Sequence, residues 1–251
     1  PRLWGQVERR FYANGMRRAL RRSRAILTVS EATRADLVAL APDRAAHIVA
    51  APPGVSPAFG PADAAARPAW PRRFILTVGQ YAPYKNHHNA LAAFARAFPE
   101  ADGPDLLFVQ RRGPDTAGLR AMAAALGVGE RVHCLPPVDE RQLAALYRGA
   151  LALLHPSLCE GFGMPIAEAM ASGCPVVTSD RSAMPEVAGG AALLADPEDP
   201  DAIAAALRRI ADDPECAQRL SSLGIERARK LDCGQFAAAT LAVYRTLLAG
   251  G

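Results

Sequence analysis

The chain has 251 residues, of which 50% are hydrophobic and 22% are charged, and its formal net charge is +4. No apolar run approaches the roughly 18 residues that a membrane-spanning helix needs, so we expect a soluble globular protein. The charge excess is too small to indicate a nucleic-acid partner, and we expect none. The first residues do not resemble a secretory signal, and because the chain begins with Pro1 we expect a fragment or a processed product.

The cysteines and one arginine-rich stretch bear on the compartment. The five cysteines are widely spaced and form no CxxC pair, which favours buried thiols in a reduced, cytoplasmic compartment over disulfides or a zinc site. They are Cys134, Cys159, Cys174, Cys216 and Cys233. The arginines between residues 17 and 24 either contact anionic lipid headgroups at the inner face of the cell membrane or form a solvated helix face. We favour the solvated face, because no matching aromatic face is present.

Short apolar runs alternate with helical-period segments along most of the chain. The predicted strands are Ala25–Val29, His47–Ala50, Phe74–Val78, Leu106–Val109, Val132–Leu135, Leu151–His155, Val176–Thr178 and Ala191–Leu194. The predicted helices include Ala32–Leu40, His87–Phe98, Gly118–Leu126, Glu140–Arg148 and Pro165–Ala171. From Asp199 onward the pattern is nearly all helical. This alternation predicts an α/β fold, a doubly wound parallel sheet with helices on both faces and ligands beyond the carboxyl ends of the strands.

A proline-rich stretch interrupts the alternation between Ala51 and Pro71. Dense proline without an apolar period is typical of a linker. Six predicted strands follow it, enough for a complete domain, whereas the two that precede it cannot form an α/β sheet alone. We therefore expect residues 1–55 to be the trailing part of a Rossmann-like N-terminal domain and residues 56–233 to be a complete doubly wound domain. The C-terminal helix, residues 234–251, is a candidate to return to the first domain.

One loop and the helix after it have the features of an anion-binding site. After the strand Leu151–His155, the spacing predicts a helix that opens at Pro165 and stops near Gly173. A helix N-terminus at the carboxyl end of a strand favours a phosphate. Gly161 and Gly163 lack a Cβ and would let a ligand approach the main chain closely.

Two carboxylates flank this helix start. Glu160 precedes the helix and Glu168 lies about one turn into it, so both are placed to face one ligand. The competing interpretation is that Glu160 is a solvated loop residue and that Glu168 only complements the helix dipole. The spacing alone leaves both interpretations open.

The stretch from Leu154 to Thr178, LHPSLCEGFGMPIAEAMASGCPVVT, resembles the Glu-x7-Glu signature region of the retaining family 4 glycosyltransferases, which have the GT-B fold. Such enzymes transfer a sugar from a nucleoside diphosphate to an acceptor. The resemblance extends over most of the chain, from about Ala25 to its end. In the signature region it implies these donor-binding residues: Glu160, Gly161, Phe162, Gly163, Met164, Pro165, Ile166 and Glu168.

The same resemblance implies a role for each part of this segment. Glu160, with the main chain of Phe162 and Gly163, would hold hydroxyls of the donor sugar. The turn at residues 164–166 would hold the diphosphate, and Glu168 would accept from the ribose hydroxyls. Ionised carboxylates suit both hydroxyl-binding roles, because they are pure hydrogen-bond acceptors.

Two further stretches match the family in the expected order. The loop VGQYAPYKN, which contains Gly79 and Lys85, resembles the diphosphate-binding loop, and Lys85 would neutralise charge on the leaving nucleoside diphosphate. We therefore take Lys85 and Glu160 as the candidate catalytic residues, and Gly79 as a donor-binding residue. The stretch HCLP at residues 133–136 resembles the base-binding segment, where the main chain at Leu135 would contact the nucleobase.

The sequence departs from the family pattern at the diphosphate loop. Where the family often has an arginine near the lysine, Gln80 and Tyr84 occupy the corresponding positions. The diphosphate would then be held less firmly, or Arg111 or Arg112, at the end of the next strand, would supply the missing charge. At the base-binding stretch, Pro136 replaces a glycine that is usual nearby.

Several other polar residues have competing interpretations. Asp199-Pro-Asp201 has the Asp-x-Asp spacing of metal-dependent glycosyltransferases, but Asp199 at a helix start is an ordinary N-cap, which we favour, and we expect no metal site. His87 and His88 either reach a phosphate or are solvated. We expect His155 to pack or bond locally rather than act as a general base.

The resemblance implies a metal-independent hexosyltransferase without a cofactor, acting in polysaccharide biosynthesis. Its donor would be a GDP- or UDP-hexose, such as mannose or glucose, and its acceptor a glycan or a lipid-linked saccharide. Acceptor contacts would come largely from the first domain, so we expect this chain to bind a nucleoside diphosphate but to transfer sugar poorly. A GT-B phosphorylase, a nucleotide-sugar epimerase and a non-catalytic nucleotide-sugar-binding domain remain alternatives.

Overall fold

The structure, a computed structural model, describes residues 6–61, 70–109 and 117–249, and for residues 6–11 it describes the backbone alone. The chain divides into two units, the first made of Pro1–Gly54 and Leu231–Gly251 and the second of Val55–Lys230.

The first unit contains a short two-stranded parallel sheet. Its N-terminal elements are α1 (Gln6–Arg22), β1 (Ile26–Thr28), α2 (Glu31–Leu40) and β2 (Ile48–Ala50). The two strands pair in parallel. Ser30 caps the second helix by accepting a hydrogen bond from the Thr33 N–H. A small buried core, formed by Leu20, Leu37 and Ile48, lies between these elements.

Six strands of the second unit form one parallel sheet. They are β3 (Phe74–Val78), β4 (Asp105–Val109), β5 (Val132–Leu135), β6 (Ala152–His155), β7 (Val176–Ser179) and β8 (Leu193–Ala195). Their order is β5-β4-β3-β6-β7-β8, and every neighbouring pair is parallel. Each strand predicted from the sequence is present, with ends shifted by at most two residues. The predicted α/β fold with a doubly wound parallel sheet is confirmed.

Helices flank this sheet. They are α3 (His87–Ala97), α4 (Ala117–Ala125), α5 (Glu140–Gly149), α6 (Met164–Ala171), α7 (Met184–Ala188), α8 (Pro200–Asp212) and α9 (Pro214–Ala228). The last helix, α10 (Cys233–Ala249), belongs to the first unit. Helix α3 packs against α8, and α6 packs against α9. The helical character predicted from Asp199 onward is confirmed.

The strand order reverses between β3 and β6. From β3 the chain proceeds outward through β4 and β5, and it then returns to the other side of β3 as β6. In doubly wound sheets, ligands bind where the order reverses, outside the carboxyl ends of the strands. The loops that follow β3 and β6 therefore border the expected ligand site.

The cysteines differ in exposure. None of the five forms a disulfide within the described residues. The prediction that their thiols are buried is wrong for Cys159 and Cys233, which are exposed because they lie in the loop after β6 and at the start of α10 rather than in a core. Among the helices described here, none is long and apolar enough to cross a lipid bilayer.

Candidate functional site

An ion pair joins the loops that follow β3 and β6. Lys85 Nζ lies 2.6 Å from Glu160 Oε1, and the two side chains are only 11% and 12% exposed. The ring of Tyr84 also approaches this ammonium, with its centroid 5.4 Å from Nζ. The two residues that the sequence analysis singled out as catalytic candidates are therefore in contact, at the point where the strand order reverses.

Two buried side chains contact the same carboxylate oxygen. Ser157 Oγ donates to Glu160 Oε1 at 2.9 Å, and His155 Nε2 lies 3.2 Å from that oxygen. Both side chains are almost completely buried. The expectation that His155 bonds locally is confirmed, because its Nε2 lies 3.2 Å from Ser157 Oγ and 3.2 Å from Glu160 Oε1, two and five residues further along the chain. Together these contacts fix the position of the Glu160 carboxylate.

The charge of Glu160 follows from its neighbours. Burial is the largest single effect and would raise the pKa of Glu160, but His155 and Lys85 together outweigh it and lower this pKa to about 2. Burial also lowers the pKa of His155, against the opposing effect of Glu160. At neutral pH the carboxylate is therefore ionised, and a neutral His155 donates to it from Nε2.

Gly79 makes room for the lysine side chain. Its φ of +140° lies in a region that other residues rarely adopt, and a Cβ at this position would lie 3.2 Å from Lys85 Cε. The Gly79 N–H donates to the carbonyl of Val109 on the neighbouring strand. A glycine here lets Lys85 lie directly over the end of β3.

Helix α6 begins one residue earlier than predicted, at Met164, and Gly163 precedes it with a left-handed φ of +102°. Glu168 is therefore the fifth helical residue, not the fourth. Two of the first three residues offer no donor to a ligand, because Pro165 has no N–H and the Ile166 N–H donates to the Gly163 carbonyl. The backbone N–H groups left to bind an anion at this turn are therefore those of Met164 and of the loop before it.

The other predicted donor-binding residues lie on both sides of this turn. Gly161 is exposed and Phe162 is buried in the loop before α6. Glu168 is half-buried and accepts a hydrogen bond from the Tyr147 hydroxyl at 2.9 Å. Leu135 ends β5, with β4 and β3 between it and β6. It therefore occupies a different part of the sheet edge from the Lys85–Glu160 pair.

Asn86, which was not predicted as a site residue, joins three loops of the site. Its backbone is left-handed, with φ 59° and ψ 36°, where asparagine is tolerated better than most residues. Its buried amide donates to the carbonyls of Pro156 and Pro197, at 3.0 Å and 2.6 Å. The sequence signal that could have identified Asn86 is its position between Lys85 and a predicted helix.

Replacing Asn86 with alanine should destabilise the protein by about 2–4 kcal/mol, because the Pro156 carbonyl loses its donor, the Pro197 carbonyl keeps only the Asn89 amide, and alanine is strained in this backbone conformation. Urea unfolding of the purified chain measures this free energy. Asn86→Gly is the matched control, since it loses the same hydrogen bonds without the strain and should be less destabilised than Asn86→Ala. An alanine variant as stable as the wild type would show that the amide does not hold these loops together.

Ser182 holds the main chain of Glu160 from the loop after β7. Its hydroxyl donates to the Glu160 carbonyl at 2.7 Å, and the Glu160 N–H lies 3.3 Å from the same hydroxyl oxygen. Ser182 adopts a left-handed φ of 56°, which is uncommon for serine. Nothing in the sequence alone indicates which loop contacts Glu160.

The two histidines beside the lysine differ from each other. His87 is buried and stacks on the ring of Tyr81, with centroids 5.6 Å apart. Burial, the largest effect, together with the electrostatic influence of His155, Lys85 and His88, lowers the pKa of His87 to about 4, so it is neutral at neutral pH. The solvated alternative is wrong for His87, whereas His88 is exposed.

Asp199 caps α8 by accepting from the N–H groups of Asp201 and Ala202, so the predicted capping role is confirmed. In the part of the chain that the structure describes, no group of three or more His, Cys, Asp or Glu side chains is arranged to hold a metal ion. Arg111 and Arg112, the alternative diphosphate ligands, lie outside the described residues.

Comparison with known proteins identifies relatives of this chain. It is 35% identical over 259 aligned residues to an MMP alpha-(1->4)-mannosyltransferase of Mycolicibacterium hassiacum, covering 99% of this chain and 61% of the relative. It is 29% identical to O-antigen chain mannosyltransferase B of Escherichia coli, covering 95% of this chain and 65% of the relative. The chain thus spans less than two thirds of the length of either relative.

Solved structures have the same fold. Sucrose-phosphate synthase of Thermosynechococcus elongatus matches 90% of this chain and 59% of its own with a TM-score of 0.79 and 27% identity. The Anabaena protein Alr3699/HepE, solved in complex with UDP and glucose, matches 98% of this chain and 68% of its own with a TM-score of 0.82 and 18% identity. The sequence pattern of one family, described as "Glycosyl transferases group 1", matches residues 65–227. The chain has a fold of the GT-B type, and it belongs to the glycosyl transferases group 1 family.

Proposed function

We propose that this chain is the donor-binding part of a retaining glycosyltransferase of family 4. It moves a hexose, such as mannose or glucose, from a GDP- or UDP-sugar to a glycan or a lipid-linked acceptor, and it needs neither a metal nor a cofactor. The observation that carries the proposal is the nearly buried Lys85–Glu160 pair, which lies where the strand order reverses. Such a pair offers a cation to a diphosphate and an acceptor to sugar hydroxyls.

The proposed donor extends along the carboxyl edge of the sheet. Leu135 ends β5, whereas Glu160 follows β6, three strand spacings away, or about 14 Å. In this arrangement the base lies near Leu135, the diphosphate lies between Lys85 and the Met164 N–H, and the sugar lies near Glu160. Glu168 accepts from the ribose hydroxyls.

The proposed chemistry needs mainly positioning and charge stabilisation. The bond between the anomeric carbon and the diphosphate oxygen breaks, its electron pair stays on the diphosphate, and Lys85 stabilises the resulting charge. The acceptor hydroxyl oxygen bonds the anomeric carbon on the same face, and its proton passes to a diphosphate oxygen. The ionised Glu160 holds a sugar hydroxyl through this step. Because the acceptor oxygen bonds on the face that the diphosphate leaves, the anomeric configuration is retained.

The relatives bear on the sugar and on the acceptor. Two of them are named mannosyltransferases, which supports mannose, while the Anabaena structure contains UDP and glucose.

The first unit has a two-stranded sheet over a three-residue core, less than an independent α/β domain needs. In our proposal it belongs to a larger acceptor-side domain, to which α10 returns. The enzyme works in the cytoplasm, where the arginines of residues 17–24 are candidates for contact with the inner face of the membrane.

Calorimetry of the chain with GDP, UDP and ADP tests the donor-binding role. We expect GDP or UDP to bind more tightly than ADP, and we expect Glu168→Ala to weaken the tighter ligand by about tenfold, because a charge-assisted hydrogen bond to ribose is lost. Product analysis with GDP-mannose and UDP-glucose separates sugar transfer from phosphorolysis and from epimer formation. A chain that binds none of the three nucleotides would contradict the proposal.

A further inference from the structure

A buried tyrosine contacts the carboxylate that the proposed function assigns to ribose. The Tyr147 side chain is fully buried, and its hydroxyl donates to Glu168 Oε2 at 2.9 Å. A phenol hydroxyl removed from water needs an acceptor, and an ionised carboxylate is a strong one. The contact joins α5 to α6 and commits one oxygen of Glu168 to a donor within the protein.

The tyrosine itself is held from two sides. Helix α5 begins with a complete capping box between Asp139 and Gln142, and Tyr147 lies on its buried face with Leu143. Phe59, from the segment before the sheet, meets the tyrosine ring edge-on, with the centroids 5.9 Å apart. The hydroxyl therefore has a fixed position from which it can orient a more flexible side chain.

We propose that Tyr147 is a positioning residue that orders the Glu168 carboxylate before the nucleotide binds, and so determines how strongly the site prefers a ligand with ribose hydroxyls. The inference rests on the proposed function, in which Glu168 binds ribose. A glutamate side chain loses rotational freedom when it grips a ligand. Because Tyr147 orders the side chain during folding, less of that freedom is lost on binding, and affinity is higher.

A role in packing alone would not need the hydroxyl. Phenylalanine at this position would keep the ring, its burial and its edge contact with Phe59, and would remove the hydroxyl that donates to Glu168. Tyr147→Phe therefore separates positioning from packing. Tyr244→Phe is the matched control, because Tyr244 is exposed on α10 in the first unit.

The test is calorimetry of the chain with GDP and UDP and with their 2′,3′-dideoxy analogues, which lack both ribose hydroxyls. We expect Tyr147→Phe to weaken the preferred diphosphate about three- to tenfold. The affinity for its dideoxy analogue should not change, because that ligand does not use Glu168. In a Glu168→Ala background the same substitution should cause no further loss, since the two residues act through one contact.

The outcomes separate this inference from the function on which it rests. If the wild-type chain prefers the ribose form and Tyr147→Phe keeps the full preference, or weakens both ligands equally, the positioning role is wrong and the proposed function stands. If the wild-type chain binds the dideoxy analogue as tightly as the parent nucleotide, the ribose role that the proposed function gives to Glu168 is wrong, and the positioning role of Tyr147 fails with it. Thermal unfolding of each variant checks that the substitutions leave the fold intact.

Discussion

Replacing Lys85 with alanine is expected to weaken the binding of GDP and UDP by about 10- to 100-fold, because in the proposed function the diphosphate then loses a charged donor held in a nearly buried site. Lys85 lies over Gly79 with its ammonium 2.6 Å from Glu160, so its side chain is ordered before a ligand arrives. The variant should also lose about 3 kcal/mol of folding stability, since the Glu160 carboxylate is left without its cation. Calorimetry and urea unfolding measure the two effects.

The chain offers a matched control for this substitution. Its sequence has two lysines, Lys85 and Lys230, and Lys230 is exposed at the end of the second unit. Lys230→Ala removes the same charge from the chain and should leave both the nucleotide affinity and the stability unchanged. Equal behaviour of the two variants would mean that net charge, rather than the position of Lys85, controls binding.

Replacing Glu160 with glutamine should separate nucleotide binding from sugar transfer. Donor cleavage, measured as nucleoside diphosphate released from GDP-mannose or UDP-glucose, is expected to fall by about 100-fold or more, because in the proposed function the Glu160 carboxylate holds a hydroxyl of the reacting sugar and a neutral amide is a weaker acceptor. The affinity for GDP and UDP should be unchanged or greater. The reason is that Lys85 no longer has a competing anion 2.6 Å away and can interact more fully with the diphosphate.

Glu226, exposed on α9, provides the control, and Glu226→Gln should change neither quantity. If Glu160→Gln weakened GDP and UDP as strongly as it slowed donor cleavage, Glu160 would act on the nucleotide part of the donor, and its assignment to the sugar would have to be withdrawn. Together with Lys85→Ala, the variant shows whether the two members of the ion pair divide their roles as proposed.

The sequence was informative wherever a physical requirement acts over a few neighbouring residues. Buried parallel strands need continuous apolar runs, so Phe74–Val78 and Val132–Leu135 were predicted with their observed ends. A cap needs one side chain close to a helix start, so the role of Asp199 could be predicted as well. The start of α6 was one residue off, because Gly163 in a left-handed conformation can itself precede the first helical residue.

The sequence was uninformative wherever the partner lies far along the chain. Lys85 and Glu160 are 75 residues apart, and Tyr147 and Glu168 are 21 apart on different helices. The amide of Asn86 reaches a carbonyl 111 residues away. The parallel strands bring the loops that follow them to one edge of the sheet, and the packing of α5 against α6 brings Tyr147 to Glu168.

The sequence by itself determined the helices and strands, the parallel sheet, and the position of the helix that contains Glu168 and of the loop before it. Strand burial and helix-start chemistry decide these features, and both are local properties of the chain. Only the tertiary structure decided which side chains meet, since the order β5-β4-β3-β6 places the loops after the third and sixth strands side by side. That order brings a lysine and a glutamate into contact away from water, where their charges interact most strongly.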